Sequence, residues 1–532
     1  MAARYDVAVI GGGHNGLVSA AYLARSGRKV VVLESRDEIG GCAITREIAP
    51  GFRVPTLAHS MSIDPQVASD LGLAAQGLHL LQPPVTVFAP TDDGRAFAAW
   101  RDEAATAHEL ASWSAADAAN WPEFAAATRM AANAIGGLLR QIPPSLDSPS
   151  AGELVELLRT GRTLRRMGRQ GLYRFLRWGP MPIGDLVSEW IETPVARAVV
   201  CARGVFGTAA GPRSAGTSAT WLLQAALEGS PVGAPTFAVG GPGSLAAALA
   251  VKARSAGADI RLNARVAGIA TSDEGVTGVV LDSGETIDAR AVVSSADPKH
   301  TLLGLVDPIR LLPSFREKIH RIRARGTLAK VNLALSALPA FQGTTGRSVP
   351  ADTLLSGRIH IGPTPEYLER AFDHSKYGEW SSAPWLEAVI PSLTDSALAP
   401  HGQHVMSVYA QWMPYTLRGR DWDREREAVG DLVVRTLDRY APGLSKTIIA
   451  REVLTPLDLE RTYGLTGGHI FHGEHALDQL YAMRPVLGWA QHATPIRGLY
   501  LCGAGTHPGG GITGRPGANA AKVVTRDLSR RS

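Results

Sequence analysis

At 532 residues the chain exceeds what one hydrophobic core can fill, and 45% apolar residues are enough for more than one. A formal charge of +5 with only 19% charged residues gives no basis for nucleic acid as the main partner. The three cysteines, Cys42, Cys201 and Cys502, form no CxxC pair and no Cys/His cluster at ligand spacing, which argues against a disulfide scaffold or a metal site and fits a reducing, cytoplasmic compartment.

Residues 1–4 lead straight into an apolar strand without the basic and apolar regions of a secretory signal, and no run of about 18 apolar residues follows, so neither export nor a membrane span is expected. Residues 5–10 read as that strand and residues 15–25 as a helix. The glycines of Gly11-Gly12-Gly13-His14-Asn15-Gly16 therefore fall where a strand turns into a helix. In that setting Gly11 permits the tight turn, Gly13 lets the backbone approach a pyrophosphate, and Gly16 allows close helix packing. Asn15 stands at the N-terminus of the helix, which faces the anion. A second strand over 29–33 ends in Glu34, 18 residues past Gly16, where a carboxylate accepts both hydroxyls of an adenosine ribose and repels a 2′-phosphate. Ser35 and Arg36 follow, then Gly40-Gly41 and Thr45, which an NAD-binding unit does not need. The doublet adds backbone N–H groups facing a pyrophosphate. In this continuation the chain resembles the flavoprotein superfamily of amine oxidases and phytoene desaturases, and the resemblance implies FAD rather than NAD.

Residues 103–112 and 115–141 read as two polar-faced helices with Trp113, Trp121 and Met130 as core contacts. Seven arginines (159, 162, 165, 166, 169, 174 and 177) then stand among leucines and aromatics with no acidic residue between them. Segment 159–178 is thus either a peripheral contact with an anionic membrane or a solvated helix face over a core stripe, and Gly161, Gly168 and Gly171 weaken any single long helix. A helix over 243–255, a strand over 259–262 leading to Val266, and a hairpin through Asp282-Ser283-Gly284 return the chain to the nucleotide domain. The resemblance puts a backbone contact to adenine near Val266 and a cofactor-side loop at 294–296. Strands over 327–335, 385–390 and 405–412, with a helix over 425–439, predict an antiparallel sheet carrying a substrate cavity.

A last strand over 498–502 opens the loop Gly503-Ala504-Gly505-Thr506-His507-Pro508-Gly509-Gly510-Gly511-Ile512-Thr513-Gly514, followed by a helix over 518–528. Gly509, Gly511 and Gly514 formally repeat GxGxxG, yet only 18 residues follow Gly514, too few for a second dinucleotide domain. The loop is therefore the second half of one FAD site, with Gly503, Ala504, Gly511, Ile512 and Thr513 as contacts. Here the sequence is similar to the phytoene desaturase-like family of carotenoid desaturases, ketolases and animal pyridine-nucleotide-disulfide oxidoreductase domain-containing proteins. These carry a Gly-Ala-x-Thr/Ala-His-Pro-Gly-x-Gly stretch. Gly467-Gly468-His469-Ile470-Phe471-His472 and Leu477-Asp478-Gln479-Leu480 look closer to the ketolase and animal-type branch. Ala504 stands where amine oxidases usually place an acidic residue.

The resemblance implies an α/β fold: a Rossmann-type FAD-binding domain from 1–75, 236–325 and 486–532, with an inserted α+β substrate domain from 76–235 and 326–485. It implies an FAD-dependent oxidoreductase acting on an apolar, polyene- or carotenoid-like substrate by hydride transfer to flavin N5 in desaturation, ketolation or isomerisation. The protein then mainly positions the substrate and excludes water, and no triad is needed. By the same resemblance Thr506 and His507 sit over the isoalloxazine, the other reading of His507 being a loop-stabilising imidazole. His59 and His472 are further cavity residues. A flavin amine oxidase and a non-catalytic escort for prenyl chains are the alternatives, and the intact glycines at both ends favour an enzyme.

Overall fold

The computed structural model describes residues 5–145 and 151–530; residues 1–4, on which the expectation of no secretory signal rests, lie outside them. Strand Tyr5–Ile10 runs parallel to Val30–Leu33 on one side and to Thr286–Ser294 on the other. Asp259–Arg261 extends the sheet beyond Val30–Leu33, and Leu499–Leu501 joins Thr286–Ser294, both in parallel. Val30–Leu33 is buried on both faces, which is why it reads as an unbroken apolar run rather than an alternating one. Helices His14–Arg25, Gly243–Ser255 and Arg515–Ser529 cover the sheet, and the alanines at 20, 21, 246, 250, 518 and 521 let them pack closely in one core. Three stretches distant in sequence thus make one nucleotide-binding layer.

The second sheet runs in the order Ile448–Leu454, Leu328–Leu335, His404–Gln411, Leu386–Val389, Arg358–Ile361, Val85–Pro90 and Ala96–Trp100. It is not purely antiparallel as the sequence suggested, because Arg358–Ile361 pairs in parallel with Val85–Pro90. Helices Ala115–Arg140, Pro194–Val205 and Thr217–Glu228 pack beside it through an aromatic core in which Phe124 stacks on Trp221 at 5.7 Å. Met130 is not a core contact: it is 46% exposed. It lies nine residues from buried Trp121, which at about 3.6 residues per turn is the opposite side of the helix.

Segment 159–178 divides into helices Ala151–Arg166 and Gly168–Trp178, broken at Gly168 with φ +69°. Trp178 is anchored in the core, while Leu158, Tyr173 and Leu176 are exposed beside the arginines. Among the described residues no helix is long and apolar enough to cross a membrane.

Candidate active site

The first strand ends at Ile10, and the chain turns through Gly11 at φ +92° into the helix from His14. A Cβ at Gly16 would collide with the Gly11 carbonyl oxygen, so only glycine lets the helix close onto the turn. At Gly13 the requirement differs. The nearest atom to an added Cβ is Gly41 Cα at 3.7 Å, so the position is open, and what a side chain would fill is the cavity that Gly13 lines. Gly40 N–H donates to the Gly12 carbonyl at 2.9 Å and ties the glycine doublet to the turn.

Glu34 closes this end. Its Oε2 accepts from Gly12 N–H at 2.7 Å, and its Oε1 accepts from Arg36 N–H at 3.0 Å and Ser35 Oγ at 3.2 Å. Backbone amides hold the carboxylate in place on the cavity wall, with lone pairs left for further donors. Asn15 Oδ1 and Arg36 Nη1 are buried without a hydrogen-bond partner, and both residues line the cavity. An open Gly13, a fixed carboxylate and these polar atoms without a hydrogen bond fit the pyrophosphate and ribose of FAD.

The C-terminal loop meets the same cavity, about 450 Å3 in volume, through Ala504, Gly510, Gly511 and Ile512. Ser295 joins the two ends: its N–H and Oγ donate to the Ile10 carbonyl at 2.9 and 3.0 Å, and Cys502 N–H donates to Ser294 O at 2.8 Å. Val266, Ser295 and Ala296 lie on the wall. Gly16, Gly40, Gly503 and Thr513 stand behind it and shape the loops. Thr513 Oγ1, for example, accepts from Arg515 N–H at 3.2 Å. Cys42 is on the wall, but burial pushes its thiol up to about 11, and Cys502 is raised too, so neither offers a thiolate.

The inner end is built on the second sheet. Lys330 pairs with Tyr409, Tyr409 with Glu387 and Glu387 with His360 in adjacent strands, so the register sets the four in one row. Glu387 accepts from His59 Nε2 at 3.2 Å and meets Arg203, and Arg358 Nε lies 3.6 Å from it. Arg358 Nη2 donates to Glu228 at 2.6 Å. Lys330 Nζ lies 3.1 Å from His59 Nδ1 and 3.7 Å from the centre of the Tyr409 ring. With its Nε2–H committed to Glu387, His59 is the tautomer whose Nδ1 accepts from Lys330. Burial, then the charges of Lys330, Arg358 and Arg203, push His59 well below its ordinary pKa, and burial lowers Lys330 as well. Phe206 stands edge-on to Tyr409 at 5.3 Å and to Phe471 at 6.2 Å and supplies the apolar part of the wall.

His59 and His472 both line the cavity, as the sequence suggested. Thr506 and His507 do not, which corrects the expectation that they face the flavin ring. Thr506 Oγ1 donates to Gly503 O at 2.9 Å, and His507 Nε2 donates to Leu138 O at 3.1 Å, with its ring edge-on to Tyr481. Leu138 stands at the end of helix Ala115–Arg140, where its carbonyl also accepts from the C-cap residue Gln141 N–H at 3.2 Å, so His507 is a second donor to that helix end. Sequence reading missed Arg203, Glu228, Lys330, Arg358, Glu387 and Tyr409. The available signal was a charge inside an apolar run, as in Leu-Ala-Lys330-Val and Trp-Leu-Glu387-Ala-Val.

A family model described as flavin containing amine oxidoreductase matches residues 16–518. The chain is 37% identical to pyridine nucleotide-disulfide oxidoreductase domain-containing protein 2 of Rattus norvegicus, over 99% of this chain and 94% of that one. It is 27% identical to phytoene desaturase (lycopene-forming) of Pantoea ananas, over 96% and 97% of the two chains. An oxidoreductase from Methanosarcina mazei has a similar fold, with a TM-score of 0.61 at 15% identity over 98% of this chain and 100% of that one.

Proposed function

The chain belongs to the flavin containing amine oxidoreductase family, and from that membership we propose that this FAD-dependent oxidoreductase removes hydride from carbon in a largely apolar, polyene-like substrate. The observation that carries this reading is the continuity of one cavity from Glu34 and Gly13, past Ala504 and Gly511, to Phe206, Tyr409 and Phe471. FAD, when bound, supplies the hydride-accepting chemistry. Glu34 would take the ribose hydroxyls, and Gly13, Asn15 and the Gly511 backbone the pyrophosphate. Phe206, Tyr409 and Phe471 clamp an apolar chain and exclude water from it. Lys330 Nζ donates a hydrogen bond to His59 Nδ1 beside the aromatic wall. Similarity to a phytoene desaturase supports a substrate of this class.

Anaerobic mixing of the FAD-loaded protein with polyenes should bleach the flavin absorbance and give products lacking two hydrogens by mass spectrometry. Bleaching by apolar amines alone would overturn the polyene reading and assign amine oxidation. We also propose that helices Ala151–Arg166 and Gly168–Trp178 rest on an anionic bilayer to collect such a substrate, supported by the exposed Leu158, Tyr173 and Leu176 beside their arginines. Replacing Arg162, Arg165, Arg166 and Arg169 with Gln should abolish low-salt co-sedimentation with anionic vesicles and leave FAD content unchanged. Unchanged sedimentation would return the segment to a solvated cap.

A further inference from the structure

A buried cation ordinarily faces a carboxylate, because an isolated charge loses its hydration without compensation. Arg484 is different. It is 2% exposed, and all its donors go to backbone carbonyls. Nε and Nη2 donate to Ala504 O at 3.1 and 2.7 Å, and Nη1 to Glu474 O and Gln479 O at 3.0 and 3.2 Å. Nη2 also donates to Phe471 O at 2.6 Å and Gly473 O at 3.2 Å. Glu474, whose carbonyl it holds, turns its own carboxylate to Arg323 at 2.8 Å. Among the described residues no acid pairs with Arg484. Burial lowers its pKa only to about 9, so it stays charged at neutral pH.

That charge lies against the cavity. Ala504 and Phe471, two of its acceptors, are on the cavity wall. Burial holds His472, a third wall residue, below its ordinary pKa, as it does His469 and His475, and the Arg484 charge lowers all three further. A cofactor whose ribose end is taken by Glu34 would reach this part of the wall through the one cavity that Glu34, Ala504 and Phe471 all line.

We propose that Arg484 is the buried counter-charge of the reduced cofactor and raises the potential of bound FAD by favouring its anionic, two-electron-reduced form. This rests on the flavin reading above. As the substrate C–H bond breaks, its hydrogen would leave with both electrons to form an N–H bond at N5, the substrate's second hydrogen would pass to solvent as a proton, and the ring would gain one negative charge. A cation without a counter-ion in a low-dielectric interior stabilises that charge more than it stabilises the neutral oxidised ring. A merely structural Arg484 would tie loop 471–479 to Ala504 and leave the potential alone.

The test is dye-equilibrated potentiometry on the FAD-loaded full chain as wild type, Arg484→Lys and Arg484→Met. The Met variant should shift to a more negative potential, lowering the reduced-to-oxidised ratio at fixed potential by ~10-fold or more, as a unit charge acting through protein would. The Lys variant, which keeps the charge and loses the fork, should stay near wild type. Equal potentials in all three would overturn the proposal. If the Met variant does not fold, the wild type decides: in mildly acidic buffer its potential should vary with pH as one proton per two electrons, and two protons per two electrons would overturn it. Protein with no FAD would overturn the flavin reading together with this one, whereas an unshifted potential in FAD-loaded protein overturns this one alone.

Discussion

The two ends of the cavity are made of different material. The nucleotide end is backbone: the open Gly13, the Gly11 turn and a Glu34 carboxylate held by amides. The inner end is side chain: Lys330, Tyr409 and Glu387 aligned by strand register, with Arg203, Arg358 and His59 brought in from elsewhere. The first kind of site tolerates almost no added atom, and the second almost no lost charge.

The sharpest break of that contrast is Gly13→Val. Its branched side chain would fill the space open to a pyrophosphate, and the purified variant should carry no flavin while keeping the wild-type circular dichroism. Full flavin occupancy would show that the turn is not the phosphate site. Glu387→Ala acts at the other end by removing the carboxylate that Arg203 meets and leaving Arg358 with Glu228 alone. Removing one partner of a buried pair costs about 3–5 kcal/mol, so a lowered unfolding temperature with FAD content retained is expected. A neutral effect on stability would mean that the network is not structural.

Acid sharpens a third distinction, because the C-terminal loop region is rich in buried neutral histidines. Burial holds His469 and His507 down at about 3 and His492 at about 4. Over the window from the ordinary imidazole value of about 6.5 down to these values, the unfolded chain binds protons that the native chain refuses. Stability therefore rises with pH there and is lost as pH falls through the window. Unfolding temperatures across that range should decline steadily, and a flat profile would contradict the burial of these rings. The smallest effect belongs to His507→Ala, which removes one helix-end hydrogen bond worth about 0.5–1.5 kcal/mol and should leave the flavin spectrum unchanged. A large spectral change would put His507 back beside the ring.

What could be read in the sequence follows the same division. Gly11 to Gly16, Glu34 and the 503–514 loop are local patterns, and each announces backbone geometry within a few residues of itself. The strands and helices around them follow from apolar periodicity. Lys330, Glu387 and Arg358 announce nothing together, because they come together only once four strands are in register, with His404–Gln411 between the strands of Lys330 and Glu387, and a shift by one residue would turn each to the other face. The parallel entry of Val85–Pro90 beside Arg358–Ile361 was hidden for the same reason, since the paired strands lie about half the chain apart. His507 was misplaced because a motif names a residue without saying which nearby carbonyl needs it.

Whether the two ends of the chain jointly hold one FAD is decided by denaturing the purified protein and identifying and counting the released flavin. FAD at one equivalent per chain is expected; FMN alone, or NADP in its place, would contradict a site shared by the two ends.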